Sequence, residues 1–239
     1  MLRIKKHLLF LYLITSIFYT LIKSEKEALF EHSIDIVYLW VDGNDPEWKE
    51  TKNYHASFLK SSQKNIADEV NDNRFADHEE LRYSLRSIWM YAPFINHIYI
   101  VTMNQRPKWL LDHPKITLVD HKEIFKNPND LPTFNSQAIE SNLHRIPNLS
   151  EHFIYFNDDV FLGTPVSPFN FFCLGDKVKV LFEKSLSPSG PLLESELSNP
   201  NSNTSYRKAW RNTNAFLDKL YKTERRRRLR HAPFALRKS

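Results

Sequence analysis

The residues best suited to chemistry in this sequence are carboxylates that follow apolar runs. Asp42-Gly43-Asn44-Asp45 comes directly after the β-branched and aromatic stretch Ile34 to Val41, and Asn157-Asp158-Asp159 comes directly after Phe153 to Phe156. Acids held a few ångströms apart raise one another's pKa unless a cation neutralises them. Mg²⁺ or Mn²⁺ does so with one or two carboxylates, completing its shell with water and phosphate oxygens such as those of a nucleotide-sugar pyrophosphate. On spacing alone, a solvated turn explains Asp158-Asp159 equally well. Asp77, three residues before Glu80, has the shape of a capping box, which places its carboxylate at a helix N-terminus with or without a catalytic duty. His121, His144 and His231 are candidate proton acceptors, set against the ordinary use of histidine as a polar surface residue. Cys173 is the only cysteine, which excludes an intrachain disulfide; its apolar neighbours favour a buried thiol.

The elements that must carry these residues alternate. Strands are expected over Ile34 to Val41, His97 to Met103, Ile116 to Val119 and Phe153 to Phe156. The clearest helix has Leu81, Leu85, Ile88, Trp89 and Ala92 on one stripe and ends at Pro93. A second helix starts near Asn135, with a Phe134–Ile139 staple and a buried face of Ile139, Leu143 and Ile146. The segment Glu47 to Asn73 is polar and without period, and reads as an excursion outside the core. Val178 to Phe182 is expected as an edge strand, Ser185 to Ser205 as a flexible loop, and Ala209 to Tyr221 as a helix with Thr213, Leu217, Leu220 and Tyr221 on one side. The alternation predicts an α/β fold: a mostly parallel sheet with flanking helices, whose ligands sit beyond the carboxyl ends of the strands. There the acids after the first and fourth strands would meet.

The chain has 239 residues and a formal net charge of +5, enough length for one substantial domain with its own core. Arg225 to Arg228 and Arg230 hold much of the excess charge; without an aromatic-interleaved basic groove they do not make a nucleic-acid binder. Arg3, Lys5 and Lys6 precede an uncharged stretch from Leu8 to Ile22, so residues 1–26 read as a hydrophobic helix serving as signal peptide or signal anchor. A signal anchor of this polarity puts the body of the protein in a lumen, and the sequons at Asn148 and Asn203 are compatible with that.

Several of these segments, taken in order, resemble one family. Ile36-Val-Tyr-Leu-Trp-Val-Asp-Gly-Asn-Asp-Pro46 is similar to the opening block of the Stealth family, which includes bacterial capsule hexose-1-phosphate transferases and the lysosomal-enzyme N-acetylglucosamine-1-phosphotransferase. Arg74-Phe-Ala-Asp-His-Glu-Glu-Leu-Arg-Tyr-Ser-Leu-Arg-Ser-Ile88, Ile98-Tyr-Ile-Val-Thr102, Leu131-Pro-Thr-Phe-Asn-Ser136, Glu140, His144-Arg145 and Phe156-Asn-Asp-Asp-Val160 look like its second block. Asn212-Thr-Asn214 through His231-Ala-Pro233 resembles the start of the third. The blocks fall at 34–50, 74–183 and 206–239 of a domain spanning 34–239.

The resemblance implies a nucleotide-sugar-transferase-like fold and transfer of a sugar-1-phosphate, N-acetylglucosamine-1-phosphate or hexose-1-phosphate, from a UDP-sugar to a hydroxyl of a carbohydrate or glycoprotein. It implies Asp77 and His231 as catalytic residues, without saying which is the base. Asp158 and Asp159 would hold Mg²⁺ or Mn²⁺, and Trp40, Asp42, Gly43, Asn44, Asp45, Arg82 and Asn157 would bind the donor. With the N-terminal signal it implies the secretory pathway, as a Golgi membrane protein with a luminal domain or as a secreted one. Family members continue into a fourth block that adds a basic residue to the site; none follows Ser239 here, so a site short of that residue is expected. A metal-dependent glycosyltransferase and a non-catalytic nucleotide-sugar-binding module are the alternatives.

Overall fold

The computed structural model describes residues 32–58, 71–173, 175, 177–187 and 205–239. The expected N-terminal helix and most of the expected loop after Ser185 lie outside the described residues. Among the described residues, no helix is long and apolar enough to cross a membrane.

In chain order the strands are β1 (Ile34–Leu39), β2 (Ile95–Thr102), β3 (Ile116–Asp120), β4 (His152–Asn157), β5 (Phe182–Ser187), β6 (Arg226–Leu229) and β7 (Phe234–Arg237). The helices are α1 (Pro46–Ser57), α2 (Glu80–Tyr91), α3 (His121–Ile124), α4 (Ser136–Glu140) and α5 (Ser205–Leu220). A five-stranded sheet runs β3-β2-β1-β4-β7. Its first four strands are parallel and β7 is antiparallel to β4, so the fold is α/β with a mixed, mostly parallel sheet. β5 and β6 form a separate antiparallel pair.

β1 lies at the centre and is buried on both faces, which is why its sequence is a near-continuous apolar run and does not alternate. Its one charge, Asp35, is fully buried and satisfied: it accepts hydrogen bonds from Asn96 Nδ2 at 2.9 Å and Ser150 N at 2.7 Å. One sheet face packs Ile36, Tyr38, Ile98, Ile100 and Phe156 against Leu81, Leu85 and Ile88 of α2. The other packs Val37, Val101, Phe153 and Tyr155 against Ile139, Leu143 and Ile146. Burying each such aliphatic side chain contributes about 1.5–3 kcal/mol.

The expected strands and the α2 helix are present, and several other expectations need correction. Pro46–Ser57, within the segment read as an excursion, is a helix: Pro46 stands in its first turn and Asp45 caps it, a start signal that outweighs weak apolar periodicity. Trp89 is 44% exposed with its ring 5.0 Å from His113, and Ser84 takes the buried place between Leu81 and Leu85. The expected second helix breaks after Glu140, and Leu143–Arg145 is a separate 3₁₀ turn; the three aliphatic residues are nevertheless buried. Phe134 packs on Trp48, ring centroids 5.5 Å apart, and is not among the neighbours of Ile139 in the core. Val178 forms only an isolated bridge to Phe172, and the strand comes later, as β5. In α5 the buried positions are Arg211 and Asn214, whereas Leu220 and Tyr221 are 57% and 73% exposed. Cys173 is only half-buried.

Candidate active site

From β1 the connections lead to β2 and β3 on one side, and then to β4 on the other. That reversal is a topological switch point, where open α/β sheets present a crevice at the carboxyl ends of their strands. Leu39 and Asn157 are register partners at those ends, so the chain leaves both strands side by side into its acidic sequences.

The first sequence is a braced loop. Trp40 N continues the ladder to Val101 O at 3.1 Å. Asp42 Oδ1 accepts from Asn44 N at 2.9 Å, and Asp45 Oδ1 accepts from Glu47 N and Trp48 N as the cap of α1. Gln105, from the loop after β2, receives a hydrogen bond from Asp42 N at 3.1 Å and donates to Asp42 O and Asp45 Oδ2, both at 3.0 Å. The Gln105 bond holds the Asp45 carboxyl below its ordinary range. Gly43 N donates to Phe75 O at 2.8 Å, and a Cβ on Gly43 would lie 2.3 Å from that oxygen; the glycine is required by this close approach. Asn44 is exposed. Thus Asp42 is held at the rim, Asp45 is engaged in capping, and Gly43 ties β1 to the segment that carries Asp77.

Asp77 is not the helix cap that its spacing predicts. Glu79 takes the cap position in the left-handed region at φ 65°, with no side-chain cap bond. Asp77 Oδ1 accepts from Glu79 N at 3.0 Å, and Glu80 Oε2 accepts from His78 N at 2.6 Å. The two acids therefore fold a tight turn just before α2, which holds both carboxyls next to the crevice. Burial raises the Asp77 carboxyl above its ordinary range, and the charges of Glu80 and Asp42 push the same way. Trp40 lies close enough to oppose this, although its buried indole Nε1 makes no well-formed hydrogen bond. Arg82 is engaged by Glu79 at 2.7 Å, which occupies the guanidinium expected for a donor phosphate.

The second acidic sequence is clamped to α2. Ser84 Oγ donates to Val160 O at 2.5 Å, so Tyr38 OH, 2.7 Å away, donates to Ser84. Ser87 Oγ receives Leu162 N at 3.0 Å. Asp158 is consequently fixed beside the start of α2. Its carboxyl is pushed up to about 6, first by burial, then by the charges of Asp159, Glu80 and Asp77. These mutual effects bring Asp42, Asp77, Glu80, Asp158 and Asp159 into one electrostatic cluster. In the sequence Glu80 reads only as a capping residue.

His231 reaches the same rim from the C-terminal segment. Its Nε2 is 3.5 Å from Asp159 Oδ1 and its Nδ1 is 3.3 Å from Asn157 Nδ2. Tyr155 OH lies 2.7 Å from Asn157 Oδ1 and 3.2 Å from Glu140 Oε1, and burial raises the Glu140 carboxyl. His144 is exposed beside Arg145.

A cleft of about 430 Å³ adjoins the acidic rim, lined among others by Asp45, Trp48, Gln105, His121 and Pro132. His121 is buried there with Nδ1 unpartnered, and burial lowers its pKa. Neither the cleft nor Gln105 carries a signal in the sequence, since each is built by contacts distant along the chain. The carboxylates are hard oxygen donors of the kind Mg²⁺ or Mn²⁺ takes, and Asp158 and Asp159 would hold such an ion. Among the described residues no three His, Cys, Asp or Glu side chains form a metal-binding group, so the fit requires phosphate oxygens and water to complete the shell.

The fold and rim define an α/β domain with an acidic switch-point crevice. Residues 32–54 match the model of Stealth protein CR1, conserved region 1, and residues 74–180 match that of Stealth protein CR2, conserved region 2; the chain belongs to the Stealth family. It is 43% identical over 210 residues to an exopolysaccharide phosphotransferase of Streptomyces coelicolor, covering 86% of this chain and 33% of the relative. It is 44% identical over 166 residues to the capsular polysaccharide phosphotransferase cps12A of Actinobacillus pleuropneumoniae, covering 68% and 44%. With the capsular polysaccharide phosphotransferase LcbA of Neisseria meningitidis the figures are 46% over 141 residues, 58% and 37%. The chain spans between a third and under half of the length of these relatives.

Proposed function

We propose that the protein transfers a sugar-1-phosphate from a UDP-sugar to a carbohydrate hydroxyl, in the lumen of the secretory pathway, where its N-terminal segment delivers it as signal or anchor. The observation that carries this reading is the convergence of the acidic sequences after β1 and β4 with the Asp77–Glu80 turn at the switch point. The names of the relatives support phosphoryl chemistry with a polysaccharide. In this reading the acceptor oxygen attacks the β-phosphorus, the bond from that phosphorus to the bridging oxygen breaks, UMP leaves, and a phosphodiester forms.

Phosphoryl transfer asks chiefly for positioning and charge neutralisation. Mg²⁺ or Mn²⁺ at Asp158 and Asp159 supplies the neutralisation when bound. Asp42 and the loop to Asp45 orient the donor, and the cleft beside Asp45 has room for its nucleoside. Asp77 takes the acceptor proton, since burial raises its carboxyl and so strengthens the carboxylate as a base. His231 beside Asp159 steadies the departing nucleotide. A donor labelled on its β-phosphate tests the reading: label is expected in the glycan product with release of UMP. Release of UDP with retained label would make the protein a glycosyltransferase, and binding without turnover would make it a binding module.

A further inference from the structure

The arginines of β6 are left unused by the chemistry above, and they lead directly to His231. We infer that the open face of the β5–β6 pair is a binding track for a phosphodiester-bearing glycan, the growing end of which reaches the acidic rim. This deepens the proposed transfer and rests on it, because that reaction leaves one negative charge at every sugar–phosphate–sugar linkage it forms.

The two faces of the pair differ. Arg226 turns toward α5, donating to Asp218 Oδ1 at 2.5 Å and to Asn214 O at 3.3 Å. Strand alternation places Arg227 on the opposite side, where it is exposed, and Arg225, one residue before the strand, is exposed as well. Leu186 is the register partner of Arg227, and Phe182 that of Leu229; Leu186 and Phe182 are 48% and 51% exposed. Arg225, Arg227 and Arg230 make no side-chain ion pair among the described residues. The pairing continues through Arg230 N to Leu181 O at 2.9 Å, so the track ends one residue before His231. Along a strand, Arg225 and Arg227 stand about 7 Å apart.

Guanidinium groups suit phosphate through paired N–H donors, and an aromatic ring offers the apolar faces of a sugar a stacking surface. Charge alone would also suit nucleic acid or anionic lipid. The direct approach of the track to the phosphotransfer rim favours the charged glycan.

The experiment measures binding of the full chain to a phosphodiester-linked oligosaccharide, to a neutral oligosaccharide of the same sugar, to a single-stranded oligonucleotide and to phosphatidylserine vesicles. Tight binding is expected only for the first, weakening with added salt. Arg225→Gln with Arg227→Gln should lower that affinity by about tenfold or more, and Phe182→Ser should weaken the neutral oligosaccharide as well. In transfer assays the arginine double variant should raise KM for the charged acceptor and leave kcat and the neutral acceptor unchanged. Equal affinity for oligonucleotide or vesicles, or no change in the double variant, would overturn the inference. Absence of UMP release with every acceptor, while the binding contrast persists, would instead remove the transfer reading and leave the track standing.

Discussion

Replacing Asp158 by asparagine gives a perturbation whose sign and size both follow from the site. The folded protein raises this carboxyl from the ordinary 3.8 to about 6. A folded state that holds the proton more tightly than the unfolded chain is stabilised relative to it while the group is protonated. That advantage is complete below the unfolded value, is lost as pH rises from about 4 to 6, and is gone above the folded value. Each pH unit between the two values corresponds to about 1.4 kcal/mol, so the whole gap amounts to at most about 3 kcal/mol. The amide of Asp158→Asn cannot ionise, so the variant escapes the loss. The difference in unfolding free energy, variant minus native chain, should grow from its value near pH 4 by up to about 3 kcal/mol at pH 7.

Urea titrations in a chelator read this difference, since a slope of about 2 kcal/mol per molar makes it a midpoint change of roughly 1 M. Most other titrating groups cancel in the comparison. The repulsion between Asp158 and Asp77 is already contained in the Asp158 shift, so Asp77 adds no separate increment. Excess Mg²⁺ should then restore the native chain by about 2.7 kcal/mol at a concentration a hundred times its dissociation constant, and should do much less for Asp158→Asn. A difference that stays flat with pH would refute the burial of a crowded carboxyl. Equal stabilisation of both proteins by Mg²⁺ would refute its role as ligand.

Gly43→Ala should destabilise by more than about 2 kcal/mol in thermal unfolding, since the new methyl must displace the Phe75 backbone and lose its hydrogen bond; transfer activity should fall with it. Ser84→Ala strands the buried Tyr38 hydroxyl and the Val160 carbonyl and should cost about 2–3 kcal/mol in urea unfolding, with a lower kcat as the Asp158 loop loosens. His231→Ala removes an exposed side chain and should change stability by less than about 0.5 kcal/mol, while lowering kcat by about a hundredfold or more.

The fold was legible where a single element carries its own signal. Ile36 to Leu39, Ile98 to Val101 and Phe153 to Phe156 are buried on both faces, and their apolar runs say so without help from partners. Leu81, Leu85 and Ile88 likewise mark one face of α2. Failures began where a distant partner decides the outcome. Lys52 is buried in α1 because Asp72 pairs with it and the rings of Trp48 and Phe75 lie beneath its ammonium; no local pattern encodes that. α5 turns Arg211, Asn214 and Asp218 inward because Arg226 of the following strand awaits Asp218. The acids of the candidate site were visible as residue types after strands. Their mutual placement was not, because it depends on β1 and β4 being neighbours.

That placement is the work of braces between distant parts of the chain. Gln105 grips the Asp42 loop through three hydrogen bonds from the loop after β2. Gly43 fastens β1 to Phe75, two residues before Asp77. Tyr38, Ser84 and Ser87 hold the turn after Asp158 against α2. Each brace joins segments separated by tens of residues, so the acids can be crowded only in the folded chain. Crowding opposes folding, as the raised Asp158 and Asp77 carboxyls record, and a fold selected for stability alone would separate these groups or neutralise them with a lysine. The braces keep them together, and in the proposed reaction a divalent cation with its pyrophosphate would relieve the resulting negative potential.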